Sequence, residues 1–392
     1  MKIYEIGTGY TPIPARMGAA TEIVVEELTR SLLKKGVDVE IIDIKAKQRG
    51  QTELPITEVG VPSLFTKSDV SLGIMHKLKR VFYSVALAGK LKKILKRADG
   101  RVVLHFHNQY NAYFFFKLTS KKLRQKATVA YTVHSYIWGT EWEKIESTVK
   151  KKYFQEVYSV RNSDAIFVLN DVTTEHFAEK LGVDKNKIFK TINGVNVEKY
   201  SSLASDSLVD LKKSVGMEGK KLIFQVGSVC DRKNQLGTVK MLAEYLQKHR
   251  DVVFGYAGGI IDAEYQSSIE AFAKEKNISE QVKYFGELSP GEELNRYYNM
   301  AECSVFSSTL ESFGLVIIEA ISAGTPVVMS NNLMFELSKG YYTYNSPDEL
   351  VNIIDKILEK GKTEFADRSE VVEKYSWDAV AKEQFELFKK LS

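Results

Sequence analysis

Apolar and polar positions along the chain form short, densely apolar runs separated by helix-length amphipathic segments. The first run is Lys2-Ile3-Tyr4-Glu5-Ile6; a loop punctuated by Gly and Pro covers residues 7–18, a helical pattern spans Ala19–Lys35, and a strand over Val37–Ile44 follows Gly36. Spacing and turn chemistry are those of a βαβ unit. Further β-like runs lie at Arg101–Phe106, Ala127–His134 and Ala165–Leu169, each a helix-length segment apart. Such alternation predicts a parallel sheet with helices on both faces.

The stretch Asn193-Gly194-Val195-Asn196 and the Ser-rich residues 201–207 interrupt this rhythm, which then restarts. Strands are expected at Lys221–Val226, Val252–Ala257, Gln281–Phe285, Ser304–Ser307 and Pro326–Met329, so the second half also reads as a doubly wound sheet. The expected organisation is an α/β chain of two Rossmann-like domains facing a cleft, the first over residues 1–200 and the second over 201–374, with a closing helical pattern over 375–392. In open α/β sheets ligands bind at the carboxyl ends of the strands, so the chemistry should sit just after them.

Composition narrows the class. At 392 residues with 44% hydrophobic and 27% charged residues, the chain is ordinary globular material, which excludes disordered and collagen-like readings. No apolar stretch approaches the roughly 20 residues that span a bilayer. Cys230 and Cys303 cannot build a disulfide framework, and no leader pattern precedes the first run. A cytoplasmic location is therefore expected. The net charge of +5 is uneven: residues 1–200 hold 33 Lys and Arg against 21 Asp and Glu, and residues 201–392 hold 22 against 29.

The most informative passage runs from Ser304 to Ala320. A strand ends near Ser307, Glu311 lies in the loop, Ser312 suits an N-cap, and a helix runs from Phe313 towards Ala323 before Gly324 stops it. Leu315 to Ile318 make this helix apolar around most of its circumference. A carboxylate in such a helix, Glu319, needs either a Lys or Arg partner or a ligand. The N–H groups of Phe313, Gly314 and Leu315 form an anion site at the helix start. Glu319 can accept two ribose hydroxyls, and Glu311 those of a sugar. Arg232 and Lys233, just past a strand end, are either solvated surface charges or groups that neutralise a departing diphosphate.

In the first half, Gly18 precedes a helix and His134 ends a strand; each has a purely structural alternative. His105 and His107 share a strand face, but no third ligand follows at a recognisable spacing, so no metal is expected. His107 and Asn108 are read as acceptor-site residues.

Glu311-Ser-Phe-Gly-Leu-Val-Ile-Ile-Glu319, with Ala320 and Gly324-Thr-Pro-Val-Val328, resembles the two-glutamate signature of retaining nucleotide-sugar glycosyltransferases of the GT-B fold, the fourth family of the carbohydrate-enzyme classification. The resemblance extends over most of the chain. It implies metal-independent, cofactor-free transfer of a hexosyl or N-acetylhexosaminyl group, with a UDP-sugar favoured as donor, to a glycan or lipid-linked acceptor of cell-surface polysaccharide or glycolipid synthesis. It also implies roles: residues 1–200 as an acceptor-binding domain, 201–374 as a nucleotide-sugar-binding domain and 375–392 as a helix crossing back to the first; His134 and Glu311 at the sugar; Gly18, Arg232, Lys233, Phe313, Gly314 and Leu315 at the diphosphate; Glu319 at the ribose. Two positions depart from the pattern. Ser228 stands where many relatives carry Arg, and Gly18-Ala19 where two glycines are common. A catalytically silent sugar-nucleotide or membrane-binding partner, or an epimerase of the same fold, is the alternative.

Residues 71–97 hold Lys77, Lys79, Arg80, Lys90, Lys92, Lys93, Lys96 and Arg97 with no acidic residue between them. Ile74, Leu78, Val81, Phe82 and Val85 lie at helical spacing, as do Leu91, Ile94 and Leu95. Either the apolar stripe faces the core, or the segment makes peripheral contact with anionic membrane on its inner face. No nucleic-acid module surrounds these charges, so no nucleic-acid partner is expected.

Overall fold

The computed structural model describes residues 1–14, 20–46, 49–62, 74–311, 313–331 and 337–391. Gly18, Ala19, Ser312 and the first three residues of the 71–97 segment lie outside the described residues. The chain divides into two compact units, Met1–Gly194 with Trp377–Ser392, and Val195–Ser376.

The first unit is a seven-stranded sheet, all parallel, in the order β3-β2-β1-β4-β5-β6-β7. Its strands are β1 (Lys2–Ile6), β2 (Val39–Ile44), β3 (Ile56–Val59), β4 (Val102–Phe106), β5 (Ala127–Thr132), β6 (Ala165–Val168) and β7 (Ile188–Lys190). The central strands are buried on both faces, which is why they read as near-continuous apolar runs. The edge strands β3 and β7 are short and largely half-exposed, and their sequences carry no such run.

One face of this sheet packs on α2 (Ile74–Arg97) and α3 (Gln109–Leu118), burying Tyr4, Leu104, Phe106, Tyr83, Leu87, Leu91 and Phe115. The other face presents Ile3, Val103 and Phe167 to α1 (Ala20–Lys34) and to the terminal helix Trp377–Leu391. Trp377, Val380, Ala381 and Phe388 of that helix are buried there. The terminal helix is therefore part of the first unit's core.

The helical stripe in α2 turns out differently from a simple core-facing reading. Tyr83, Leu87, Leu91 and Leu95 face the sheet, whereas Leu78 (43% exposed), Val81 (37%), Phe82 (48%) and Val85 (44%) face outward. Lys79 is buried and donates to the Tyr10 carbonyl at 3.0 Å, so this cation serves the loop after β1 rather than the surface.

The second unit is a six-stranded parallel sheet in the order β10-β9-β8-β11-β12-β13. Its strands are β8 (Lys221–Val226), β9 (Val252–Ala257), β10 (Val282–Tyr284), β11 (Cys303–Phe306), β12 (Val327–Ser330) and β13 (Tyr341–Tyr344). Strand order reverses between β1 and β4 in one sheet and between β8 and β11 in the other. Each sheet therefore has a crevice at the carboxyl ends of these central strands.

Phe388→Ala removes a fully buried ring that packs on Phe167 and His105. It should destabilise the first unit by about 3–5 kcal/mol, read as a shifted urea midpoint for that unit.

Candidate functional site

At the first crevice, strand register builds a chain of polar side chains in an otherwise apolar layer. Glu5 of β1 lies opposite His105 of β4, and His107 follows two residues on. His105 Nδ1 is 3.0 Å from Glu5 Oε2 and its Nε2 is 2.7 Å from Thr132 Oγ1. His107 Nε2 is 2.9 Å from Glu5 Oε2, and its Nδ1 is 3.0 Å from Nε2 of His134. Burial works to raise the pKa of Glu5, but the two imidazoles outweigh it and hold the carboxyl at about 2. Burial pushes His107 down to about 4, with His105 acting in the same direction, and drives His134 well below the ordinary imidazole value.

The segment after His134 is held by a second buried carboxylate. Glu156 accepts from Tyr131 Oη at 2.7 Å, Trp138 Nε1 at 2.8 Å and Ser135 Oγ at 3.1 Å. Asn108 caps α3 by accepting from the Tyr110 N–H at 2.9 Å and donates to Tyr10 Oη at 2.8 Å. The Arg80 guanidinium lies over the Tyr10 ring at 4.3 Å. His107 is buried with both ring nitrogens engaged, which leaves it none for direct contact with an acceptor.

Glu5, His105 and His107 also place ligand-type atoms close enough together to surround a metal ion, Glu5 being the third group that spacing alone does not reveal. Their geometry is equally that of a hydrogen-bonded cluster, in which each of these nitrogens has an oxygen or nitrogen partner. The sign of Glu5 in the sequence was a lone carboxylate inside an apolar strand. Glu22, near the start of α1, is another buried carboxyl; burial raises it to about 7, and the Thr8 hydroxyl donates to it.

At the second crevice, β8 runs into a tight helical turn over Asp231–Lys233, closed by Asn234 in the left-handed region. Arg232 Nη1 donates to Glu311 Oε1 at 2.8 Å, and Lys233 Nζ to the same oxygen at 2.5 Å. Arg232 also donates to the Leu310 carbonyl at 3.0 Å, and the Thr309 N–H to the Arg232 carbonyl at 2.9 Å. The loops after β8 and β11 are thus tied together, with two cations sharing one carboxylate oxygen. The ends of β8 and β9 lie so close that a Cβ on Gly258 would sit 2.2 Å from the Gly227 carbonyl oxygen.

The helix after β11 begins later than its sequence suggests. It spans Leu315–Ser322, with Gly314 as its N-cap at φ +87°. The open N–H groups of its first turn are consequently those of Leu315 and Val316, with Phe313 outside the helix. Glu319 is half-buried on this helix. Burial raises its pKa to about 7, opposed by hydrogen bonds from the hydroxyls of Tyr200 and Tyr298. Among the described residues no Lys or Arg pairs with it; two tyrosines fill the place where a core cation was one expectation. Neither tyrosine carried a spacing signal, because Tyr200 lies about a hundred residues before Tyr298 in the chain.

Two parallel α/β sheets, each with charged side chains gathered where its strand order reverses, define the GT-B class of fold. Residues 21–199 match Glycosyltransferase Family 4, and residues 209–374 match Glycosyl transferases group 1. An uncharacterized glycosyltransferase of Methanocaldococcus jannaschii is 26% identical over 329 residues, covering 74% of this chain and 83% of that protein. The UDP-Gal:alpha-D-GlcNAc-diphosphoundecaprenol alpha-1,3-galactosyltransferase of Escherichia coli is 24% identical over 62% of this chain and 60% of its own length. Sucrose-phosphate synthase from Thermosynechococcus elongatus superposes with a TM-score of 0.74 at 20% identity, over 100% of this chain and 99% of that one. Anabaena HepE in complex with UDP-glucose does so with a TM-score of 0.70 at 14% identity, each chain covered completely. The chain belongs to the GT-B glycosyltransferases of family 4, with a group 1 glycosyl transferase domain as its second half.

A Cβ on Gly314 would meet Ile317 Cδ1 at 2.9 Å in a left-handed backbone conformation. Gly314→Ala should therefore cost about 1–2 kcal/mol, seen as a lower thermal midpoint, and should slacken the loop that carries Glu311.

Proposed function

We propose that this glycosyltransferase moves a hexosyl or N-acetylhexosaminyl group from a UDP-sugar to a glycan or lipid-linked acceptor, with retention at the anomeric carbon and without a metal. The carrying observation is the pair of cations, Arg232 and Lys233, on one side of Glu311 at the switch point of the second sheet. A diphosphate would take over the cations, and Glu311, released from them, would accept sugar hydroxyls. The Leu315 and Val316 N–H groups at the Gly314 helix start add an anion site. Glu319 takes the ribose hydroxyls, and His134 of the first unit takes a hydroxyl of the sugar. The UDP-glucose bound to HepE and the UDP-Gal in the name of the E. coli relative support the choice of donor.

In this reading the bond from the anomeric carbon to the diphosphate oxygen breaks as the acceptor hydroxyl attacks from the same face, and the departing diphosphate takes the hydroxyl proton. The protein orients both reactants and answers the growing negative charge. The first unit holds the acceptor, with Asn108 and Tyr10 beside the β4 and β1 strand ends as its candidate contacts.

The test is a panel of nucleotide sugars followed for released nucleotide. Slow hydrolysis of one donor is expected, and release from none would favour the silent binding partner. Lys233→Ala should lower kcat/KM by roughly a hundredfold to a thousandfold. Between about 4.5 and 7 the folded chain keeps on Glu319 a proton that the unfolded chain releases, so this group's contribution to stability falls as pH rises through that window. Ribose recognition moves the other way, because the ionised carboxylate is the stronger acceptor. UDP-glucose affinity by calorimetry should rise through pH 7, and Glu319→Gln should weaken binding about tenfold or more above pH 7 and flatten the profile. An unchanged profile would remove Glu319 from the site.

The outward apolar face of α2 gives the acceptor side a surface for peripheral contact with anionic membrane. Leu78, Val81, Phe82 and Val85 are flanked by the exposed cations Lys77, Lys93, Lys96 and Arg97. Sedimentation with anionic vesicles should fall as salt rises and should weaken for Phe82→Ser. Equal recovery with neutral vesicles would refute the contact.

A further inference from the structure

The polar chain of the first unit is directional. A carboxylate only accepts hydrogen bonds, so each imidazole nitrogen that touches Glu5 must carry a proton. His107 meets Glu5 with Nε2 and His134 with Nδ1. A neutral imidazole has a single N–H. With that N–H spent on Glu5, His107 Nδ1 is a lone pair, and the Nε2 of His134 must be the donor to it. The same rule applied once more leaves His134 with a lone pair on Nδ1.

We propose that Glu5 and His107 are positioning residues that hold His134 in its Nε2–H tautomer, so that its Nδ1 accepts a hydrogen bond from a hydroxyl of the sugar substrate. This rests on the reading that His134 contacts the sugar. Which ring nitrogen of a histidine carries the proton is set by the partner of the other, and here the partner is buried and fixed. His107 is 4% exposed and Glu5 fully buried, so water does not compete for either. Their protonation agrees with the direction: burial disfavours charge on both histidines, while the electrostatic pull of His105 and the hydrogen bonds from His105 and His107 keep Glu5 ionised.

Three further contacts make the device rigid. His105 gives Glu5 its second donor, locked on its far side by Thr132 Oγ1 at 2.7 Å. The His107 and His134 rings stack with centroids 5.3 Å apart and planes inclined by 26°. Glu156 pins Tyr131 before His134 and Ser135 and Trp138 after it. His134 itself is half-buried, whereas His105 and His107 are buried. Were the relay reversed, His134 Nδ1 would carry a proton and would present a donor to the same hydroxyl. The carboxylate at its buried end is what selects one polarity.

The test is a long-range proton–nitrogen correlation spectrum of the full chain labelled with ¹⁵N-histidine at pH 7.5, where the chain has six histidines to resolve. His134 should show a protonated Nε2 and an unprotonated Nδ1. In His107→Phe the same ring should average between tautomers, with kcat lowered about tenfold to a hundredfold, by analogy with removal of the partner that orients a metal-ligating imidazole, and with UDP affinity unchanged. A protonated Nδ1 in the unmodified protein would overturn the proposal. So would an unchanged His134 pattern in His107→Phe, or a stoichiometric metal ion found by elemental analysis and lost in Glu5→Gln. The spectrum of the unmodified protein decides even if the variant does not fold. Full transfer activity in His134→Ala would instead defeat the contact with sugar, while the tautomer pattern would still report on Glu5 and His107.

Discussion

A carboxylate placed in the interior of a parallel sheet must be met by donors, because leaving it unpaired costs more than the fold can supply. Glu5 imposes that condition on the first unit. It stands on β1, next to the reversal of strand order, and the nearest positions that can answer it are His105 in register on β4 and His107 beyond it. Satisfying the carboxylate therefore fixes the end of β4, and through His107 the end of β5. The terminal helix completes the arrangement, since Phe388 and Phe167 close over His105 and exclude water. One ionised group thereby links strand register, the packing of the chain's last helix and the orientation of His134.

The second unit solves a related problem with opposite signs. Arg232 and Lys233, like charges that repel, meet on one carboxylate oxygen of Glu311. The carboxylate offsets that repulsion and holds the loops after β8 and β11 in one place. In the proposed reading an anionic ligand would compete for this contact, and the clasp between the loops would open onto the donor. Glu319 contrasts with it: tyrosine hydroxyls rather than cations answer its carboxyl, and burial leaves it near the midpoint of its titration at neutral pH. A group so poised can take hydroxyl donors without first breaking an ion pair.

How much of this was legible in the sequence depends on how far each feature is encoded by its near neighbours. The central strands are evident because burial on both faces demands continuous apolar runs, and Lys2–Ile6, Lys221–Val226 and Val252–Ala257 coincide with β1, β8 and β9. Three of the four edge strands escape notice for the complementary reason: β3, β7 and β13 are paired on one side only and carry polar or half-exposed residues, whereas the fourth, β10, falls within the expected Gln281–Phe285 run. The Glu311 to Glu319 passage is legible because strand, loop and helix follow one another directly. Its helix start was displaced from the Ser312 region to Gly314 because a left-handed N-cap, invisible to composition, ends the loop. The partners of Glu319 and Glu5 were not legible, since Tyr200, Tyr298, His105 and His107 reach them only through the folded sheet.

The two faces of α2 carry the same argument to the surface. Periodicity alone showed apolar residues at helical spacing, and a core-facing stripe would account for them. Two stripes are present, however. Tyr83, Leu87, Leu91 and Leu95 face the sheet, whereas Leu78, Val81, Phe82 and Val85 are each more than a third exposed. The four exposed apolar side chains lie on two successive turns of one helix. Lys79 and Arg80, on the same turns, are drawn towards Tyr10 in the loop after β1. The first turns of α2 thus join the crevice of the first sheet to an apolar outer face. Tyr10 in turn accepts from Asn108 at 2.8 Å, so the loop that Lys79 and Arg80 hold also meets the start of α3.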